Sequence, residues 1–251
     1  MLYSIAFFLL GLFVGSFLNV VIYRFKIKKS ILTPRSFCPA CHHNLAWYDL
    51  VPVLSFVLLF GKCRYCRKKI SWQYPLVELS SGILFTFFYL KAGDLNSALL
   101  FNLFFVSIFV VVFVYDLKHY LILDKVIVVG ATVAVIASIF LGKPDFPRAI
   151  LGSLSAGGFF ALLVLISRGR WMGGGDVKLG FLIGLIIGWP SVLVALFLAF
   201  LSGSIVGILL IAFKKKTLKS AVPFGTFLAV ATIVVMLLGD RILDWYLSFV
   251  V

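Results

Sequence analysis

Acidic residues are scarce in this chain: nine among 251, a single glutamate included, against 23 lysines and arginines. Charge of either sign is thin as well. Charged residues fill 13% of the positions, where a soluble domain usually carries about 25%, so an ordinary soluble globular protein is excluded. There are three histidines, and no Gly-x-Ser-x-Gly elbow accompanies His42, His43 or His119, which argues against a serine hydrolase. Also missing is a basic stretch ahead of the apolar N-terminus or a small-residue cleavage site after it, so Met1 to Val21 reads as a permanent span rather than a removable leader.

What is abundant is apolar. Hydrophobic residues make up 63% of the chain, and the mean hydropathy is +1.15. They fall in runs of roughly 16–24 residues, close to the ~20 that a helix needs to cross a bilayer core. In hydrocarbon every backbone N–H and C=O must be paired within its own segment, so such runs have to be helical. The expected fold is an all-α integral membrane protein of about eight transmembrane helices. The spans fall near 2–22, 77–92, 97–115, 126–142, 148–167, 177–190, 191–213 and 222–239. All but four of the basic residues (Lys91, Lys143, Arg148 and Arg241) then fall in or beside the loops 23–76, 116–125, 168–176 and 214–221. The positive-inside rule makes that side cytoplasmic and puts both termini outside. The same basic face is suited to anionic membrane lipid, although topology alone would account for it.

All four cysteines lie in the large loop 23–76, as Cys38-Pro-Ala-Cys41 and Cys63-Arg-Tyr-Cys66. Two CxxC pairs at this separation match a zinc ribbon, in which each pair turns two thiolates toward one metal. Disulfide or redox chemistry is the competing reading, and a cytoplasmic loop disfavours disulfides. Four sulfur ligands leave no open coordination position, so the zinc would staple the loop rather than catalyse. His42 and His43 read as loop residues, with a Cys3His site as the variant. A zinc ribbon also raises nucleic-acid binding, but a short loop held between two spans fits a membrane-proximal peptide better, and no nucleic-acid partner is expected.

Because acids are few, each can be weighed. Asp94, Asp145, Asp240 and Asp244 fall in external turns or the tail, and Asp49 in the loop suits a polar structural role. Glu78, Asp116, Asp124 and Asp176 lie at the cytoplasmic ends of spans, where an ionisable group is costly unless paired or hydrated and marks a candidate site. Asp116 ends a Phe/Val-rich run; Asp176 follows Gly173, Gly174 and Gly175 and opens the next span. Taken alone, Asp176 is as well explained as a helix N-cap after a glycine turn. Together, two carboxylates from different spans can share a proton. One then acts as base toward a water while the other polarises a carbonyl. Lys118 and Lys178, two residues beyond each Asp, read as snorkelling cations. Glu78 either pairs with a loop cation or faces the pocket.

With these residues in view, the chain resembles the type IV prepilin peptidases, also called prepilin leader peptidase/N-methyltransferases. The resemblance is carried by Gly15-Ser-Phe-Leu-Asn-Val-Val-Ile-Tyr-Arg24, both CxxC pairs, Pro52, Tyr74-Pro-Leu-Val-Glu78, Asp116, and the Gly-x-Gly-Asp element at Gly173-Gly-Gly-Asp176. It implies a division into a first helix (1–22), a methyltransferase-associated zinc loop (23–76) and a seven-helix peptidase region (77–251). It implies Asp116 and Asp176 as catalytic residues, supported by Gly173, Gly175, Asp124, Glu78 and Lys178. The implied substrates are prepilins or pseudopilins with a short basic leader, cleaved at the cytoplasmic face of a bacterial inner membrane. S-adenosylmethionine is the implied donor for methylation of the new N-terminus. One departure is visible: Leu123 stands where members often have Pro. Glu78 and Asp49 are expected to supply the local negative field for a basic leader. Two other classes remain open: a cation transporter, which predicts acids near the midplane and an inverted repeat, and a zinc-dependent assembly factor without catalysis.

Overall fold

The computed structural model describes residues 2–27, 30, 35–217 and 220–248, with only the backbone of 240, 246 and 247. Among the described residues there is no strand, only two isolated antiparallel bridges. The helices are α1 (Leu2–Lys26), the short α2 (Leu54–Leu58), α3 (Gln73–Ala92), α4 (Ser97–His119), α5 (Asp124–Leu141), α6 (Phe146–Ser167), α7 (Gly174–Ile187), α8 (Ser191–Ala212) and α9 (Phe224–Leu247). Each expected span coincides with one helix. Five of these, α1, α4, α5, α6 and α8, are long and apolar enough to cross a membrane, and the apolar stretch of α9, Phe224–Gly239, is shorter. The all-helical, multi-pass character expected from the apolar runs is therefore met, while length and composition alone support five crossings. The 14 residues of α7 rise only about 21 Å at 1.5 Å each.

The chain divides into two compact units, residues 1–111 and 112–251. In the first, α1 packs along α3 through Gly11 and Gly15, which are four residues apart and so share one face of α1. A Cβ on Gly11 would stand 2.6 Å from the Ser81 carbonyl oxygen, and one on Gly15 would stand 2.7 Å from the Glu78 Cα. Without a hydrophobic driving force between helices in lipid, such backbone-to-backbone approach is what holds them. A polar seam closes the loop-side end of the pair. Asn19, 1% exposed, donates to the Tyr74 carbonyl and accepts from the Gln73 amide.

In the second unit α6 and α7 approach by the same means: Gly152 and Gly184 face each other backbone to backbone, and a Cβ on Gly180 would stand 2.5 Å from the Phe160 ring. Phe200 on α8 meets Phe224 on α9 with ring centroids 4.9 Å apart. The C-terminus of α5 is closed by Gly142 in the left-handed conformation (φ 59°), where glycine has no Cβ penalty. Its N-terminus follows Leu123 at φ −79°. That value is within the range a proline ring would impose, so the leucine turns the chain as proline would.

Candidate active site and metal centre

In the second unit, three helix ends meet around Asp116. The residue sits in the last turn of α4 and is 4% exposed. Its Oδ2 accepts the Thr226 N–H at 3.0 Å, and the Gly225 N–H also points to the carboxylate. Both donors belong to the first turn of α9, where backbone N–H groups lack helical partners and the helix dipole favours an anion. Gly225 is required by the fit, because a Cβ there would lie 2.9 Å from Asp116 Oδ2.

Asp176 lies in the first turn of α7 behind Gly173 as the N-cap residue, and is partly buried. It is therefore not itself the N-cap. Its carboxylate lies on the side of the Gly173 N–H, which favours the charged form. It is also close enough to Asp116 for the two charges to act on one another. Ile122 lines the same place: its side chain would touch a Cβ on Gly175 at 3.3 Å and one on Gly225 at 3.2 Å. Asp124 stands apart from the pair, in an exposed 2.7 Å ion pair with Lys178. Lys178 thus links α7 to α5 rather than simply reaching for the interface. Ile122, Gly225 and Thr226 were not anticipated from the sequence.

In the first unit the four thiol sulfurs of Cys38, Cys41, Cys63 and Cys66 lie within 4.8 Å of one another, and none is in a disulfide. Cys38 Sγ and Cys66 Sγ are 3.9 Å apart. A tetrahedral site with Zn–S bonds of about 2.3 Å has edges of about 3.8 Å, close to the Cys38–Cys66 separation, so the four cysteines together could hold a metal ion. The two knuckles are the same turn repeated 25 residues along the chain. Cys38 N–H donates to His43 and His42 N–H to Cys38; Cys63 N–H donates to Lys68 and Arg67 N–H to Cys63. The bridge Phe37–Asn44 recurs as Lys62–Lys69. Burial alone would raise the Cys38 thiol, but the N–H groups of Cys41 and Ala40 and the neighbouring thiols bring it down to about 7. A thiolate is the form a metal takes. His43 lies against Tyr65 and His42 against Phe37, so both rings serve the loop.

The other two acids of this unit are engaged by the loop itself. Glu78, buried, accepts the Val53 N–H at 2.8 Å and the Ser16 hydroxyl, tying the loop and α1 to α3. Asp49, with its side chain 3% exposed, accepts Arg64 Nε at 2.7 Å, the Tyr65 hydroxyl and the Ala46 N–H. Burial pushes the Asp49 carboxyl up, but those three donors outweigh it and hold the group below the usual carboxylate range. Asp49 thus has a cation as partner, while Glu78 has only neutral donors.

Comparison with known proteins gives a consistent result. Residues 9–92 match the Bacterial Peptidase A24 N-terminal domain, and residues 103–208 match the Type IV leader peptidase family. A Bacillus subtilis protein named Prepilin leader peptidase/N-methyltransferase is 30% identical, with 96% of each chain covered. The chain belongs to the type IV leader peptidase family. A Myxococcus xanthus member of the same name is 37% identical over 84% of this chain and 64% of its own. One from Pseudomonas aeruginosa is 30% identical over 96% of this chain and 92% of its own. No solved structure matches. The boundary between the two matched segments falls between residues 92 and 103, so the cysteine cluster lies in the segment that matches the N-terminal domain, and Asp116 and Asp176 in the segment that follows.

Proposed function

We propose that this chain is a membrane aspartic endopeptidase that removes the short basic leader of prepilins or pseudopilins and then N-methylates the new terminus. The observation that carries the reading is Asp116, held by the first turn of α9, with Asp176 close enough for the two charges to act on one another, in a unit otherwise built of apolar helices. Like charges at short range do not both ionise cheaply, so the pair holds one proton between them. The ionised carboxylate takes a proton from an attacking water as the protonated one donates to the scissile carbonyl oxygen. The tetrahedral species then collapses, and the proton goes to the leaving amine. Gly173 and Gly174 bring no side chain of their own to the approach beside Asp176, and a Cβ on Gly174 would meet nothing within 4 Å, as an extended substrate backbone requires. Asp124 and Lys178 support the site by joining α5 to α7.

In this reading the helices α3, α7 and α9 complete eight crossings, both termini lie outside, and the cysteine loop and carboxylates face the cytoplasm of a bacterial inner membrane. The lysine- and arginine-rich loops support that orientation. Cys38, Cys41, Cys63 and Cys66 hold a structural zinc that orders the loop. Methyl transfer, with S-adenosylmethionine as the second substrate, is supported by the name shared by the relatives.

The test is intact mass spectrometry of a prepilin incubated with purified enzyme and S-adenosylmethionine, beside the Asp176→Asn and Asp116→Asn variants. The expected result is loss of a short leader and gain of one methyl group with the wild type, and an intact prepilin with either variant. Leader removal by both variants would remove the two carboxylates from the chemistry.

A further inference from the structure

The loop of the first unit carries an apolar groove that the chemistry above does not use. It has a volume of about 580 Å³ and is walled by Val53, Phe56, Val57, Phe60, Trp72 and Leu76, among others, with Lys62 and Lys69 also on its lining. Its size is within the range of small-ligand sites, ~300–1,000 Å³. Phe60 is 88% exposed and Trp72, at the cap of α3, is 70% exposed. A tryptophan where a loop passes into an apolar helix is the usual marker of the membrane–water interface.

Two features of the groove point to its occupant. First, Lys62 and Lys69 are the two halves of an antiparallel bridge. Residues directly opposite in such a pair project to the same face, and like charges there repel. The knuckle geometry does not demand them, because the equivalent bridge of the other knuckle is made by uncharged Phe37 and Asn44. An anion between the two ammonium groups would remove the repulsion. Second, Leu76 and Leu79 in the groove begin a stripe of exposed apolar side chains along α3, continued by Ile83, Phe87 and Leu90. The spacing of three or four residues keeps the stripe on one face. A positively charged site at the head of a continuous apolar stripe has the chemistry of an amphiphile with an anionic head.

We infer that the groove binds one anionic phospholipid, its phosphate between Lys62 and Lys69 and an acyl chain laid along Leu76, Leu79 and Ile83 of α3. The site would seat the zinc loop on the bilayer surface.

The test uses the full chain in detergent, with dioleoyl phosphatidylglycerol and dioleoyl phosphatidylcholine as probes. Native mass spectrometry reads retained lipid, and the melting temperature reads stabilisation. Phosphatidylglycerol should be retained roughly tenfold or more in preference to phosphatidylcholine. Lys62→Glu converts the repelling pair into an attractive one. It should raise the melting temperature without lipid and abolish the preference. Lys69→Gln should also lose the preference, and gives the same reading if the first variant does not fold. The pair Lys62→Arg/Lys69→Arg should keep it, as should Lys214→Glu/Lys215→Glu elsewhere on the chain. Equal retention of the two lipids by the wild type would overturn the inference, as would an undiminished preference in Lys62→Glu and Lys69→Gln. So would an equal rise in melting temperature with inorganic phosphate alone, or displacement of the lipid by a prepilin.

Discussion

Substitution of Gly225 by alanine tests the geometry of the carboxylate pair directly. The new Cβ would stand 2.9 Å from Asp116 Oδ2, 3.2 Å from its Cγ and 3.2 Å from Ile122 Cδ1. All three are side-chain atoms, so they can move while the backbone stays. Restoring an ordinary contact pushes the carboxylate back by about 0.5 Å, which is about the tolerance of a catalytic constellation. The same movement stretches the 3.0 Å bond from Thr226 to the edge of hydrogen bonding, and a bond to a charged group is worth ~1.5–3 kcal/mol. Leader removal by Gly225→Ala should therefore fall by about 10- to 100-fold in kcat/KM, a change of roughly 1.4–2.7 kcal/mol in the barrier. The melting temperature should fall by an amount equivalent to no more than about 1.5–3 kcal/mol, so the two enzymes are compared well below it. Gly158→Ala, where an added Cβ meets nothing within 4 Å, is the control and should cleave at the wild-type rate. The assay is the rate of leader loss from a purified prepilin, followed by mass. A Gly225→Ala enzyme with wild-type kcat/KM would refute the claim that the α9 terminus positions Asp116 for catalysis.

Removing metal with a chelator, or replacing Cys63 with serine, should release zinc and open residues 35–72 to trypsin, because binding free energy of a structural zinc is folding free energy; elemental analysis and peptide mapping read both. Gly15→Ala should lower the melting temperature by an amount equivalent to about 1–3 kcal/mol, since the neighbouring Glu78 Cα and Val77 carbonyl are backbone atoms that cannot swing aside. Asp49 is held below its unfolded value, so the unfolded chain binds its proton first as pH falls. The stability it contributes is complete above the ordinary carboxylate range, near pH ~4, and is lost as pH drops through the lower folded value. Asp49→Asn should flatten that acid limb in a series of melting curves.

The helices were legible because hydrocarbon enforces them: a run of apolar residues of the right length has one available backbone conformation. The carboxylates were legible because acids are so few that Asp116 and Asp176 stand out. Their setting was not. Thr226 is 110 positions from the carboxylate it supports, and the only local signal was a Pro-Phe-Gly-Thr stretch opening an apolar run at Pro223. Nothing in that stretch says which acid will use its N–H groups. Glu78 was open between two roles for the same reason, since its partner is a backbone N–H 25 residues away at Val53. The doubled knuckle, by contrast, was present in the spacing of the CxxC pairs and became evident only when the two bridges gave the repeat its register.

The small size of α7 connects the packing to the chemistry. A helix rising about 21 Å cannot place both ends at the surfaces of an apolar layer ~30 Å thick without thinning it. Its close glycine contacts with α6 at Gly180 and Gly184 fix its position along that neighbour, which is eight residues longer. Its other end is closed by Gly188, whose N–H bonds the Gly184 carbonyl. The first turn, with Asp176, is consequently set back from the face that α6 reaches. A carboxylate held back in this way is close enough to Asp116 for the two charges to act on one another; under the proposed function, a substrate polar on one side and apolar on the other would present there the bond between the two parts. The glycine contacts thus hold α7 in place, and under the proposed function its shortness would set the depth at which the pair acts.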